Sequence, residues 1–285
     1  SIDDAATLGT VVVNADNDSV TDDPSGAFVG LADGETAVDT FEYTVTDGNG
    51  GTDTATVSVT VTGGNELPVA APDSAGVGED DAAPTVIDLT GNDSDPDGTD
   101  DLEILSIDDT GTEGTVTVNP DNDSVTYDPA GAFEDLAVGE TAIDTFTYTV
   151  TDGNGGTDTA TVTITVQGQN DGPVAIDDSG TISEESSGIT IDVLSNDSDV
   201  DASDVLSIAS IDTSSTQGSA SIVNGHIAYD PAAAFEDLAV GETALDTLTY
   251  TITDGNGGTD TATVTITVQG QNDGPAALDD SGTVN

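Results

Sequence analysis

The chain has 285 residues, 57 acidic side chains and no Lys, Arg or Cys, so its formal net charge is −57. This charge excludes nucleic acid and anionic membrane surfaces as partners, because both are bound through Lys and Arg. The composition also excludes disulfides and any chemistry that needs a lysine or an arginine. No apolar run approaches the roughly 18 residues of a membrane-spanning helix, so membrane insertion is not predicted.

An internal repeat of about 100 residues organises the sequence. Residues 44–57 recur at 149–162 and, with one Val→Ile change, at 251–264. Gly and Pro interrupt the strand pattern where one repeat passes into the next. The predicted domains are a partial repeat lacking its first strands at 1-67, complete repeats at 68-172 and 173-274, and the first strand of a further repeat at 275-285.

Residues 1–4 match 106–109, which indicates that the chain starts inside a repeat. Residues 276–285 match the opening strand of the third repeat, which indicates that another repeat begins there. Two interpretations stay open: a slice of a longer array, or a subunit whose tail completes a neighbouring copy.

Apolar residues alternate with Thr in the second repeat, which predicts strands with one buried face. Short strands are expected at 116–118 and 125–127, and longer ones at 145–151 and 159–166. Only 133–139 has a pattern that is compatible with a turn of helix.

In the third repeat, strands are predicted at 189–193 and 222–229, and the second of these turns at Asn224-Gly225. His226, the only imidazole, follows that turn and is expected in solvent. Tyr127 and Tyr229 occupy one repeat position and are expected at a sheet edge, with sugar binding as a minor alternative. About seven short strands per repeat predict an all-β fold of antiparallel Greek-key sandwiches.

The densest acidic residues have the spacing of an oxygen-ligand loop. Asp93, Asp95 and Asp97 alternate, as Asp197, Asp199 and Asp201 do one repeat later. Such alternation is typical of calcium loops, whereas zinc and copper favour His and Cys. Two carboxylates about 5 Å apart repel by roughly 3 kcal/mol at an effective dielectric near 20. We therefore expect bound cations and loose cation-free repeats; the alternative is acidity that only keeps the chain hydrated in high salt.

Several motifs resemble, in order, the signature of VCBS-type and bacterial cadherin-like tandem repeats of large secreted RTX-type adhesins. They lie at 136–141, 146–153, 162–166 and 170–173. The resemblance implies cadherin-like, Ig-like sandwiches in a linear array, with several Ca²⁺ ions mainly at the junctions between repeats. Together with the acidic loops it gives these candidate metal ligands: Asp47, Asn65, Glu66, Glu79, Asp93, Asp95, Asp97, Asp152, Asn170, Asp171, Glu184, Asp197, Asp199, Asp201, Asp254, Asn272 and Asp273.

The sequence departs from the cadherin pattern before each linker. The residues at the position of a cadherin Asp are Gly63, Gly168 and Gly270. The neighbouring Asp177 and Asp178 are therefore alternative ligands.

The resemblance implies an extracellular or cell-surface protein, namely a calcium-rigidified segment of an adhesin or of a biofilm-matrix fibre. Its expected partners are copies of itself along an array or filament, and matrix polysaccharide or other cells through a distal region. The alternative is a filament subunit that donates its C-terminal strand to a neighbour, and a carbohydrate-binding module is a minor alternative. No residue is predicted to be catalytic, because the repeat has no unique insertion that could form a cleft.

Overall fold

The computed structural model describes residues 1–24 and 26–274, so the predicted strand in 275-285 lies outside the described residues. The described residues contain strands and no helix, which confirms the all-β class. The strands follow from the alternation of Thr with Val, Ile and aromatic residues, since β-branched side chains favour extended backbone. Accordingly, the described residues contain no helix that could cross a membrane.

The strands of the three repeats have the following bounds. The first repeat has β1 (Ile2–Asp3), β2 (Thr10–Val13), β3 (Val20–Asp23), β4 (Thr36–Thr46) and β5 (Thr52–Thr62). The second has β6 (Asp73–Gly78), β7 (Thr85–Asp88), β8 (Glu103–Asp108), β9 (Thr115–Val118), β10 (Ser124–Asp128), β11 (Thr141–Thr151) and β12 (Thr157–Gln167). The third has β13 (Asp178–Ser183), β14 (Ile189–Ile191), β15 (Ser207–Asp212), β16 (Ser219–Val223), β17 (His226–Asp230), β18 (Thr243–Thr253) and β19 (Thr259–Gln269).

The chain divides into two compact units, and the division falls inside the second repeat. The first unit comprises Ser1–Val77, Asp81–Ala132 and Ile143–Val166. The second comprises Gly78–Asp80, Phe133–Ala142 and the residues from Gln167 onward. Each linker between repeats therefore lies wholly within one unit.

The third repeat packs a four-stranded sheet, in the order β13-β19-β18-β15, with a three-stranded sheet, in the order β14-β17-β16. The strands β18 and β19 form a long antiparallel hairpin, and β13 runs parallel to β19. Along β19, Ala262, Val264, Ile266 and Val268 are buried and belong to the core of this repeat. The alternation predicted for the second repeat is confirmed on β12, where Ala160, Val162, Ile164 and Val166 are buried.

The second repeat has the equivalent sheets, in the orders β6-β12-β11-β8 and β7-β10-β9, and the first repeat has β1-β4-β5 and the hairpin β2-β3. Tyr127 lies on the middle strand β10 and is buried, and Tyr229 lies on the middle strand β17 and is also buried. The predicted location at a sheet edge is therefore wrong. Each phenol can be buried because it donates a 2.7 Å hydrogen bond to a carboxylate, from Tyr127 to Asp144 and from Tyr229 to Asp246.

The segment 133–139 does not form a turn of helix. Two tight turns replace it, closed by hydrogen bonds from Leu136 N to Phe133 O and from Glu140 N to Ala137 O. Gly139 has a φ of 88°, which is incompatible with a continuing right-handed helix.

The predicted turn at Asn224-Gly225 is confirmed, with φ values of 52° and 80° that are typical of a type I′ hairpin turn. His226 begins the next strand, and its Nδ1 lies 3.4 Å from Asp192 Oδ1. Its side chain is partly exposed.

Candidate metal centre

The oxygen-rich groups gather around the two linkers between repeats. We define the first junction as the linker 63–68 with the acidic loop 93–100 and the turn 152–156. The second junction is the linker 168–173 with the loop 197–204, the turn 254–258 and the acidic residues Glu79, Asp80 and Glu134 of the second repeat.

Each junction contains an aspartate whose carboxylate organises a glycine-rich turn. Asp152 Oδ1 accepts hydrogen bonds from the backbone amides of Asn154, Gly155 and Gly156, at 2.8, 3.0 and 2.9 Å. Its Oδ2 accepts a 2.9 Å hydrogen bond from Asn65 Nδ2 of the linker. Burial opposes ionisation of Asp152, but these hydrogen bonds outweigh it and lower the pKa of its carboxyl. The carboxylate therefore stays ionised beside the linker.

The second junction repeats this arrangement. Asp254 Oδ1 accepts from the amides of its own turn, and Asn170 Nδ2 donates to Asp254 Oδ2 at 3.0 Å. Glycine is required at position 258, because a Cβ there would lie 2.9 Å from Gly172 Cα and 3.0 Å from Pro173 Cδ. The Asp-Gly-Asn-Gly-Gly sequence therefore lets the turn pack closely on the linker.

The acidic loop of the first junction presents carboxylate oxygens that the protein does not pair. Asp97 is 0% exposed; its Oδ2 accepts from the linker amide of Glu66 at 3.0 Å, and its Oδ1 has no hydrogen-bond partner. Oxygens of Asp95, Asp97 and Asp100 lie within 4.8 Å of one another. Burial raises the pKa of Asp95, and the charges of Asp97, Asp100 and Asp152 raise it further. Asn65 Oδ1, Glu66 Oε2 and Asp95 Oδ2 are also buried without a partner.

The loop of the second junction has the same features. Asp201 is buried; its Oδ2 accepts from the linker amide of Asp171 at 3.0 Å, and its Oδ1 has no partner. Oxygens of Asp199, Asp204 and Asp254 lie within 4.8 Å of one another. Burial and neighbouring carboxylates raise the pKa of Asp201. The remaining buried oxygens without a partner here are Asn170 Oδ1, Asp171 Oδ2 and Asp199 Oδ2.

A further acidic cluster lies on the other side of the second linker. Oxygens of Asp80, Glu134 and Asp171 approach within 4.8 Å of one another. Beside them Glu79, only 4% exposed, accepts a 2.6 Å hydrogen bond from Gln169 N at Oε1, while its Oε2 has no partner. Burial raises the pKa of Glu79, and the charges of Asp80 and Asp171 add to the effect. The second junction thus has acidic groups on both sides of its linker.

A similar cluster forms at the end of the third repeat, where oxygens of Glu185, Glu236 and Asp273 lie within 4.8 Å of one another. Glu184 is buried and accepts from Gln271 N at 2.6 Å, and its Oε2 has no hydrogen-bond partner among the described residues. The predicted ligand Asn272 is exposed and donates from Nδ2 to Asp273 O.

Three predicted ligands have other partners. Asp93 Oδ1 accepts from Ala71 N at 2.7 Å and from the hydroxyl of Tyr148 at 2.9 Å. Asp197 accepts in the same way from Ile176 N and Tyr250. These two carboxylates therefore connect the loops to the cores of their own repeats.

The third, Asp47, is exposed and accepts from amides of its own turn. The alternative ligands also lie outside the clusters, because Asp177 accepts from Thr263 N and Asp178 from the hydroxyl of Tyr250.

The sequence prediction missed six acidic residues of the clusters: Asp80, Asp100, Glu134, Glu185, Asp204 and Glu236. Their repetition was the available signal. Glu134 follows Phe133 as Glu236 follows Phe235. Asp100 and Asp204 each lie three residues after the last of the alternating aspartates in their loops.

The donor set fits a hard cation. Every unpaired group at the two linkers is a carboxylate or amide oxygen, the ligand type of Ca²⁺, which takes six to eight oxygens in flexible geometry. A buried oxygen without a partner is costly, and the chain has no Lys or Arg that could neutralise it. The residues present therefore fit calcium.

Comparison with known families gives two kinds of match. The model of the bacterial cadherin-like domain matches residues 65–168 and 170–270, and that of a bacterial Ig domain matches residues 1–60. These matches confirm the resemblance to cadherin-like repeats. A comparison with curated proteins gives no match.

Solved cadherin structures share the fold at low sequence identity. EC22-24 of mouse cadherin-23 is 16% identical with a TM-score of 0.56, over 92% of this chain and 82% of that chain. EC1-3 of mouse clustered PcdhgC3 is 15% identical with a TM-score of 0.54, over 95% and 88%. EC1-3 of mouse protocadherin-24 is 14% identical with a TM-score of 0.52, over 95% and 89%. The cadherin-like fold is therefore confirmed.

Proposed function

Because the chain belongs to the bacterial cadherin-like domain family, we propose that it is a calcium-rigidified structural and adhesive segment of an extracellular or cell-surface protein. The observation that carries this proposal is the set of buried oxygens without hydrogen-bond partners at both linkers. If the acidic residues served only to keep the chain hydrated, these oxygens would have no reason to be buried without hydrogen-bond partners.

The proposed ligands include the predicted residues that lie in the clusters and the six that were missed. At the first junction they are Asn65, Glu66, Asp95, Asp97, Asp100 and Asp152. At the second junction they are Glu79, Asp80, Glu134, Asn170, Asp171, Asp199, Asp201, Asp204 and Asp254. At the end of the third repeat they are Glu184, Glu185, Glu236 and Asp273. Asp47, Asp93 and Asp197 are left out because their hydrogen bonds lead away from the clusters, and Asn272 is left out because it is exposed and donates only to the backbone of Asp273.

When bound, calcium supplies the positive charge and the oxygen coordination that the protein itself lacks. Two carboxylates about 5 Å apart repel by roughly 3 kcal/mol at an effective dielectric near 20, so several clustered groups can offset the roughly 5–15 kcal/mol stability of a small domain. At the second junction, the oxygens that need neutralising come from both repeats and from the linker between them. Neutralisation therefore stabilises one arrangement of adjoining repeats.

The linker amides already make part of this connection. At the second junction Gln169 N donates to Glu79 of the second repeat, and Asp171 N donates to Asp201 of the third. A linker held from both sides leaves adjoining repeats little freedom to rotate. The proposed role is mechanical: a stiff array that presents a distal adhesive region to other cells or to matrix polysaccharide, or that associates with copies of itself.

Small-angle scattering of the full chain tests this role. We expect an elongated, stiff particle in millimolar Ca²⁺ and a more flexible one after chelation. A sample in NaCl of matched ionic strength separates calcium binding from general charge screening. Identical profiles with calcium and with chelator, or full stiffening by NaCl alone, would contradict the proposal.

A second candidate function is assembly of copies into a filament, and the exposed inner face of β5 favours it. Ala55 is exposed and Val57, Val59 and Val61 are partly exposed, whereas the matching residues of β19 are buried. In the third repeat, β13 pairs with β19 in parallel. Residues 280–285, Asp-Ser-Gly-Thr-Val-Asn, closely match the sequence of β13. The tail of one copy therefore has the sequence to pair with β5 of another by strand addition.

Size-exclusion chromatography in calcium distinguishes this assembly from a monomeric array. Assembly predicts concentration-dependent oligomers of the full chain and monomers of a chain that ends at residue 274. Monomers of both chains at high concentration would contradict donor-strand assembly and leave the calcium proposal intact.

A further inference from the structure

One buried contact differs between the first repeat and the other two. In the second repeat, Asp144 Oδ2 accepts from the hydroxyl of Tyr127 at 2.7 Å and from Gly114 N at 2.9 Å. The third repeat has the same arrangement around its own buried tyrosine. These carboxylates are fully paired although they are buried.

The first repeat has Asp22 where the other repeats have the tyrosine. Asp22 pairs with Val11 across the hairpin, as Tyr127 pairs with Val116. Both oxygens of Asp22 are buried, and neither has a hydrogen-bond partner among the described residues. The hydroxyl of Thr7 takes the place of the phenol as donor, because it donates to Asp39 Oδ2 at 2.8 Å.

The carboxylate beside Asp22 is Asp39, the counterpart of Asp144 in the second repeat. A Cβ at Gly9 would lie 3.2 Å from Asp22 Oδ1, and Gly9 N donates to Asp39 Oδ2 at 3.1 Å, so the two carboxylates are neighbours. Asp39 also accepts from the hydroxyl of Thr7 and the amides of Leu8 and Thr40.

The two carboxylates have opposite tendencies to ionise. Burial opposes ionisation of Asp39, but the hydrogen bonds that it accepts outweigh burial and lower its pKa. Burial raises the pKa of Asp22, and the charges of Asp39 on β4 and Asp23 on its own strand raise it further. No basic residue is available to oppose this effect.

We propose that Asp22 and Asp39 form a proton-dependent lock in the first repeat, in which the buried Asp22 holds a proton beside the ionised Asp39. The proton comes from solvent and resides on Asp22, while Asp39 keeps the hydrogen bonds that it accepts from Thr7 and the neighbouring amides. Deprotonation leaves two adjacent carboxylates and a buried charge without a hydrogen-bond partner among the described residues.

The direction of the pH effect follows from linkage. A group whose pKa is raised by folding binds more protons in the folded state, so its stabilising contribution is complete below the unfolded pKa of about 3.9. The contribution is lost as the pH rises through the folded pKa of Asp22. The lock therefore tightens the first repeat in mild acid and loosens it at neutral pH.

Carboxyl ¹³C NMR of the full chain tests the titration directly, first in chelator and then in calcium. We expect Asp22 to titrate above the ordinary Asp range in the chain, and Asp39→Asn to lower its pKa only in part, because burial is the larger cause. A pKa of Asp22 at or below 3.9 would overturn the proposal. An Asp22 resonance at neutral pH that moves with added Ca²⁺ would also overturn it, because a cation would then replace the proton.

Amide exchange in β3 and β4 provides a second measurement. Asp22→Asn replaces the carboxyl with a neutral donor of similar shape, and Asp22→Tyr restores the arrangement of the other repeats. Both variants should slow exchange in these strands at least about tenfold at pH 7 and remove most of its additional pH dependence relative to the unaltered chain. The reverse change, Tyr229→Asp, should create such dependence in the third repeat. An unchanged profile for Asp22→Asn would contradict the lock even if Asp22→Tyr failed to fold.

Discussion

The first and second junctions have equivalent groups in the repeat that follows the linker and different groups in the repeat that precedes it. Both have a carboxylate-centred turn that binds the linker Asn, and both have a buried loop aspartate that accepts from a linker amide, Asp97 in the first and Asp201 in the second. On the other side the second junction has the cluster that contains Glu134. The first has Val29 at this repeat position, directly after Phe28, and its side chain is 50% exposed.

The linker residue itself also differs. Asp171 belongs to the additional cluster of the second junction. Its counterpart Glu66 lies instead beside Asp97: the close approach of the Asp97 side chain raises the pKa of the Glu66 carboxyl, and burial adds to the effect. The counterparts of Glu79 and Asp80 would precede residue 1, so the difference that the sequence shows consists of two substitutions, Val29 for Glu134 and Glu66 for Asp171. If calcium binds as proposed, Glu134 gives the second junction a carboxylate ligand that Val29 cannot give to the first.

Removal of calcium should have the largest effect and should separate the two junctions. The amide of Gln169, which donates to Glu79, should exchange at least about a hundredfold faster after chelation, because the repelling groups around it lose their neutralising ion. The amide of Glu66 should change less. Hydrogen exchange with and without chelator measures both, and equal changes would show that the junctions are equivalent.

Substitution of a buried ligand should weaken the second junction selectively. Glu79→Gln retains the oxygen that accepts from Gln169 but removes the charge, and we expect at least about a tenfold loss of calcium affinity, or about 1.4 kcal/mol. Titration calorimetry of the full chain measures the loss. Asp47→Asn is the matched control, because Asp47 is exposed and distant in sequence from the clusters; a similar loss in this variant would argue against a specific site.

Addition of the missing acid should bring the first junction closer to the second. Val29→Glu places a carboxylate at the position of Glu134, and the exposure of Val29 leaves room for it. We expect a several-fold gain in calcium affinity at the first junction. The Val29→Gln variant controls for polarity without charge, and an equal gain with Gln would contradict an electrostatic explanation.

A lower pH should produce the smallest effect. Without calcium it should raise the stability of the chain, whereas with calcium it should lower the affinity for the ion. Burial raises the pKa of Asp95, Asp171 and Glu79, so without calcium their stabilising contribution is complete below about pH 4 and is lost as the pH rises through the raised values. The cation-free chain should therefore gain stability from these groups near pH 5 relative to pH 7, while calcium affinity falls because protons compete. Urea unfolding in chelator measures the first trend, and calorimetry at both pH values measures the second.

The sequence predicted the features that depend on neighbours along the chain. The alternation of Thr with apolar residues predicted the strands, and the resemblance to cadherin repeats predicted Asp152 and Asp254 as ligands at the junctions. The ligands in the acidic loop were harder to predict, because the alternating spacing does not show which of its three aspartates face the linker. The hydroxyl of Tyr148 decides between them by binding Asp93, and it lies more than 50 residues away in the sequence.

Glu134 was missed for a related reason. It lies in 133–139, where the pattern was compatible with a helix, and its neighbours Asp80 and Asp171 come from distant segments. A local pattern carries no information about which loops the sheets bring together. The same limit explains the tyrosines, because the acceptors that allow their burial are 17 residues further along the chain.

The contact between Tyr250 and Asp197 has a consequence for how the chain carries load. The hydroxyl lies 3.1 Å from Asp197 Oδ1 and 3.0 Å from Ile176 O, while its ring is buried in the core of the third repeat. In the proposed mechanical role, tension on the linker at Asp171 passes to the loop at Asp201, and this phenol anchors the same loop to the sandwich. The proposal therefore assigns the load to the hydrophobic core around Tyr250 and not to a single turn.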